Sequence, residues 1–196
     1  MRNLSYLLLL AFVISALPAL AQQTAAISTA PIATASSSEM QRIFDEDQAA
    51  RQNALSFSKA QGVALYKADV ARRAAVQKLL DAGDLHTGQD FEEAAFIFQH
   101  GNTADDYLLA HTLATLAVAK GRASAVWIMT ATLDRYLQKI GQPQIYGTQY
   151  LPHPDGQWTQ EPYNRTLISD SLLQQLGVPS RANQEKQLEM YRKQAQ

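Results

Sequence analysis

The chain has 196 residues, of which 46% are hydrophobic and 18% charged, and its formal net charge is -1. That is the balance of one globular domain, and no concentrated basic run of the kind that binds phosphate backbones is present, so no nucleic-acid partner is expected. The absence of cysteine excludes disulfides, thiolate metal sites, cysteine nucleophiles and an acylated cysteine anchor, and leaves the core alone to hold the fold.

The chain opens with the marks of an export signal. Arg2 supplies a positive start, Leu7 to Val13 form an apolar run extended by Ile14 and Leu17, Pro18 breaks it, and Ala19-Leu20-Ala21 is a small-residue cleavage pattern. A signal peptide over 1–21 is predicted, and its loss with Arg2 leaves a net charge of about -2. The run falls short of the ~20 apolar residues that a bilayer span needs. A periplasmic or secreted protein with no stable membrane span after cleavage is therefore expected. Residues 22–38 carry Ala, Thr, Ser, Ile, Gln and Pro without charge and are expected to be a flexible lead-in. One helical domain over 39–196 remains.

In that domain Met40, Ile43, Phe44 and Asp47 fall at helical spacing in a first helix from Glu39 to about Ser56, with Asp47 and Arg51 as an i,i+4 pair. Gly62 marks a break. A second helix is predicted from about Leu65 to Ala82, with Val70, Val76, Leu79 and Leu80 as its apolar members, Arg72-Arg73 on a solvated edge and Gly83 closing it. Thr87 and Asp90 have capping-box spacing, followed by the stripe Phe91, Ala94, Ala95, Phe98. Thr103 and Asp106 repeat the cap, and Leu109, Leu113, Leu116 and Ala117 lead to Gly121. The next helix, about Ala123 to Ile140, has no charge from Ala125 to Leu133 and is apolar all round, which predicts the central helix of a bundle.

The pattern then changes. Residues 145–163 are rich in Gly, Pro, Tyr, Trp and Gln, with a turn signature at Pro154-Asp155-Gly156 and a strand-like alternation at Tyr146, Thr148 and Tyr150. Two short helices, about Asp170 to Leu176 and Arg181 to Lys193, close the chain. The predicted fold class is all-α: a small bundle of about five to seven helices with an irregular aromatic loop or short hairpin near 144–163.

Candidates for chemistry are few. Asp106 and His111 stand about 140° apart around one helix, which is poor geometry for a shared metal, and Asp105 and Asp106 already suit a helix N-terminus. No metal site and no cofactor motif is predicted. Asp134 shares a stripe with Trp127 and Ala131, and a carboxylate there is costly to bury unless bonded. Its expected partners are backbone N–H groups of the turn Tyr146-Gly147-Thr148-Gln149. In the alternative, Asp134, Arg135 and His100 line a pocket with that turn as its lid.

Gln99-His100, Asp134-Arg135 and Gln144-Ile-Tyr-Gly-Thr-Gln149 together resemble a bacterial domain-of-unknown-function family, whose members carry a glutamine-histidine pair, a later Asp-Arg and a Gln-x-Tyr-Gly-Thr-Gln segment. The resemblance spans about Leu80 to Val178 and nominates residues without supplying a reaction. Three readings follow. The leading one is a binding or interaction module that takes a peptide, a glycan or an envelope protein through Gln144, Tyr146, Thr148, Gln149 and Trp158, with Tyr150 and Tyr163 adding aromatic surface. The second is a hydrolase-like enzyme with His100 as base, Asp134 as its orienter or an acid, and Arg135 neutralising an oxyanion. The third is a structural envelope protein.

Overall fold

The Ser37 hydroxyl accepts the Met40 N–H and starts helix α1 (Ser38–Arg51). The computed structural model describes residues 36–52, 57–152 and 157–194, all within one unit, Ile32–Gln196. The predicted signal peptide, nearly all of the lead-in, and the Pro154-Asp155-Gly156 turn lie outside the described residues. Helix α2 (Lys59–Ala82) opens with a capping box between Ser58 and Gln61 and closes on Gly83, whose φ of +74° suits a left-handed cap. The cap spacings at Thr87/Asp90 and Thr103/Asp106 form reciprocal capping boxes that begin α3 (Gly88–Phe98) and α4 (Ala104–Ala119). Helix α5 (Ala125–Lys139) leads into the irregular segment. There β1 (Leu151–Pro152) pairs antiparallel with β2 (Trp158–Thr159), and Gln144 bridges Tyr163. Helices α6 (Asp170–Gln175) and α7 (Arg181–Gln194) complete an all-α bundle.

The centre of the bundle is α3, not the helix expected from the apolar run. Helix α3 packs against α1, α2, α4 and α5. Its Phe91, Ala94, Ala95, Ile97 and Phe98 meet Met40 and Ile43 of α1, Val76 of α2, Ala110, Leu113, Ala114 and Ala117 of α4, and Ala125 and Ile128 of α5. The alanines let the α3, α4 and α5 backbones approach closely, while each buried Ile or Phe contributes about 1.5–3 kcal/mol. Helix α5 buries Ala125, Ile128, Ala131 and Asp134 but leaves Trp127 47% exposed. It lies against α4 and turns Trp127 outward, so one side of an apolar helix stays free.

Four further expectations are corrected. Gly62 does not break the chain: it lies inside α2 with open space where a side chain would stand. Val70, expected in the core, is exposed, together with Val63 and Tyr66. The Arg72-Arg73 pair is not a solvated edge, since side-chain exposures are 11% and 12% and both arginines tie α2 to its neighbours. The alternation at Tyr146, Thr148 and Tyr150 makes no strand, because the backbone N–H groups of Tyr146 and Thr148 are taken by the Asp134 side chain. Among the described residues no helix is long and apolar enough to cross a membrane.

Candidate functional site

Asp134 is fully buried near the end of α5 and reaches the chain that follows the helix. One carboxylate oxygen accepts the backbone N–H groups of Ile145 at 2.8 Å and Tyr146 at 3.1 Å. The other accepts the N–H of Thr148 at 3.0 Å and its hydroxyl at 2.8 Å. Four donors on one carboxylate supply the bonds that burial demands of it. The side chain thus winds 145–148 into a nest around itself, and an extended strand is impossible there.

Glutamines hold the outside of that nest. Gln144 is wholly buried; its amide donates to the carbonyls of Gln149 (3.0 Å) and Gln160, and its oxygen accepts the Gln149 N–H at 3.0 Å. Gln160 donates to the Gly147 carbonyl at 2.7 Å, and Gln184 of α7 donates to the Tyr146 carbonyl at 2.9 Å. Gln149 donates to the Ala131 carbonyl and the Thr148 hydroxyl. Gly147 has φ +75°, and a Cβ added to it would collide with Gln184 and with the Tyr163 hydroxyl, the latter at 2.7 Å. Glycine is required twice over at this point.

Beside the nest lies a cleft of about 370 Å3, lined by Trp127 of α5, Gly147, Thr148 and Tyr150 of the turn, Pro179, and Asn183, Gln187 and Tyr191 of α7. None of the described residues that line it is charged. Tyr191 is the pivot of its aromatic wall: it stacks on Trp158 at 5.0 Å and meets Tyr150 edge-on at 5.2 Å. Burial, followed by the neighbouring Tyr191, Tyr163 and Glu185, pushes the Tyr150 hydroxyl up to about 12, so it remains a donor, and it bonds the Gln184 carbonyl at 3.4 Å. Burial likewise raises Tyr146, with the Asp134 charge adding to it.

The nominated residues therefore separate. Thr148 faces the cleft. Gln144 offers a ligand no surface and Gln149 very little, and both shape the turn from within. Tyr146 contributes its carbonyl to Gln184, and Trp158 backs Tyr191 rather than lining the cleft. Tyr163 packs its ring under the Arg165 guanidinium at 4.5 Å. Trp127, Asn183, Gln187 and Tyr191 were missed. The α7 residues repeat at i, i+4 and i+8, a stripe readable in the sequence, but nothing local tells which element it faces.

His100 belongs to a different place. Its Nε2 accepts the Arg51 Nε–H at 2.8 Å and stands 3.5 Å from the Asp47 carboxylate, while Arg73 donates to its carbonyl at 2.8 Å. Arg51 and Arg72 each bridge Asp47 and Asp69, at 2.7–3.3 Å, so this cluster rivets α1 and α2 to the end of α3. Burial opposes the Asp47 charge, but His100, Arg51 and Arg72 together hold its carboxyl below the ordinary range. No hydrogen bond or ion pair among the described residues joins His100 to Asp134 or Arg135. His111 bonds the Met129 carbonyl at 2.9 Å, and Asp106 caps α4.

No protein-family model, curated protein sequence or solved structure matches this chain.

Proposed function

We propose that this is an exported binding module whose cleft, walled by Trp127, Tyr150 and Tyr191, takes an uncharged segment of a ligand, either a sugar or a stretch of peptide. The observation that carries the reading is the composition of that cleft. Aromatic faces supply contact area at low conformational cost, Asn183 and Gln187 supply amide donors and acceptors, and none of the described lining residues carries a charge that a neutral ligand would have to desolvate. Its size lies within the range of small-ligand pockets, roughly 300–1,000 Å3. The wall formed by residues 147–150 is held from behind by Asp134 and the buried glutamines, so it is shaped before a ligand arrives, which lowers the cost of binding. The hydrolase reading has less support, because its base, His100, is engaged with Arg51 and Asp47 in another part of the fold.

The test is calorimetric titration of the mature chain with two panels: neutral cell-wall oligosaccharides and uncharged, proline-containing peptides. Saturable binding to a member of one panel, weakened at least about tenfold by Trp127→Ala, is expected. Binding to neither panel, or binding indifferent to Trp127→Ala and Asn183→Ala, would refute the reading.

A further inference from the structure

A second pocket, of about 220 Å3, lies where α4, α5 and β1 meet, lined by Tyr107, Arg135, Gln138, Lys139, Gln149 and Leu151. It shares no residue with the aromatic cleft. Arg135, Gln138 and Lys139 follow one another at i, i+3 and i+4, so one face of α5 presents all three to the same space. Arg135 Nε and Gln138 Nε2 are buried donors with no hydrogen-bond partner. Among the described residues no aspartate or glutamate lines the pocket, and none makes an ion pair with Arg135.

From these groups we infer that the pocket is a binding site for a small oxyanion, the carboxylate or phosphate group of a ligand, held by Arg135, Gln138 and Lys139. Three of the side chains that line the pocket, Arg135, Gln138 and Lys139, carry donors, and two of them bear a positive charge. A guanidinium in a partly enclosed site calls for two oxygens in one plane, and the carboxylate and phosphate groups supply them. The alternative, a half-buried cation left without a counter-charge, is a costly arrangement that folding alone gives no reason to keep. Burial lowers the Arg135 guanidinium below its usual value, and the Tyr107 hydroxyl beside it offsets this only in part, as expected of a charge awaiting an anion. The site stands whether or not the aromatic cleft binds a neutral ligand.

The experiment is thermal unfolding of the mature chain in sodium phosphate and in sodium acetate, each titrated against sodium chloride at matched ionic strength. A saturable rise in Tm with phosphate or acetate is expected, and the anion giving the larger rise identifies the group the site prefers. Lys139 is exposed at the rim, so Lys139→Ala should fold normally and need about twofold to fivefold more anion for the same shift. Arg135→Gln should abolish the shift, and without added anion it should melt at or above the wild-type temperature. If neither anion gives a saturable rise beyond chloride, or if both variants respond as the wild type does, the site does not exist. Should Arg135→Gln fail to fold, Lys139→Ala decides by itself.

Discussion

The carboxylate of Asp134 meets Thr148 twice, taking its backbone N–H at 3.0 Å and its hydroxyl at 2.8 Å through the same oxygen. Thirteen residues separate them, and the chain between bends back to close the ring. The acid in the second half of α5 is therefore also the centre of the turn that walls the cleft, and helix and turn are one mechanical unit.

Asp134→Asn should then cost far more than an isosteric change at the surface. An amide can accept at one position only, and its NH2 would face N–H donors that have no other partner. A loss of about 2–4 kcal/mol is expected in urea unfolding, rising to about 3–5 kcal/mol for Asp134→Ala. Thr148→Val removes one hydroxyl bond and should cost only about 1 kcal/mol.

Glycine substitutions separate strain from crowding. Gly83 and Gly147 share a left-handed φ, +74° and +75°, but only Gly147 lies against other atoms. Gly83→Ala should cost about 1 kcal/mol. Gly147→Ala adds overpacking against Gln184 and Tyr163 and should cost about 2–5 kcal/mol while deforming the cleft wall. Equal losses in chemical unfolding would show that the close approach at 147 has no energetic weight.

Much of this was legible in the chain because it is local. The capping boxes at Thr87 and Thr103 and the closing glycine at 83 need only neighbours three or four residues away. The grip of Asp134 on residues 146–148 could be read too, because an acid on a greasy helix needs donors and the next loop is the nearest supply. The same kind of signal, Ser58 with Gln61, marks the true start of α2, yet Gly62 drew attention away from it. What stayed hidden depends on distant elements. Trp127 looks like a core residue until α7, more than fifty residues later, forms the other wall of an open cleft. Gln144, Gln160 and Gln184 look like solvent-facing residues until they are seen in the interior holding the turn's carbonyls, those of Gln149, Gly147 and Tyr146 in turn. His100 gave no hint of Arg51, because their pairing depends on how α1 and α3 cross.

Acid should loosen the bundle at identifiable places. Asp47, Asp90 and Asp106 are all held below the ordinary carboxylate range, Asp47 by His100, Arg51 and Arg72, Asp90 chiefly by backbone N–H groups at the start of α3, and Asp106 by the Thr103 hydroxyl and then by backbone N–H groups at the start of α4; in each case this outweighs the opposing effect of burial. A depressed native pKa stabilises the fold above the unfolded value, near pH 4, and the benefit is lost as pH falls through the lower native values. Unfolding free energy measured by urea should hold through neutral pH and fall steeply below about pH 4. In Asp90→Asn that acid limb should be shallower.

Glu93 works in the opposite direction. Burial raises its pKa above the usual glutamate value, its Oε1 accepts from Gln89 at 2.8 Å, and its Oε2 is buried without a partner. An acid raised in the native state weakens the fold once it ionises, so its contribution is unfavourable at neutral pH and disappears as pH falls. Glu93→Gln should leave stability at pH 7 unchanged or higher, and the difference from the wild type should shrink at pH 4. A clear loss at pH 7 would mean that the carboxylate has a partner that the burial argument omits.

The most direct measurement is titration of the protein with the neutral ligand that binds it best, followed at two salt concentrations and repeated with Trp127→Ala. An uncharged cleft predicts an affinity that changes little between low and high salt and falls at least about tenfold when the indole is removed, with Tm close to the wild type. Affinity that collapses with salt, or that survives the loss of Trp127, would place the ligand elsewhere on the molecule and contradict the account.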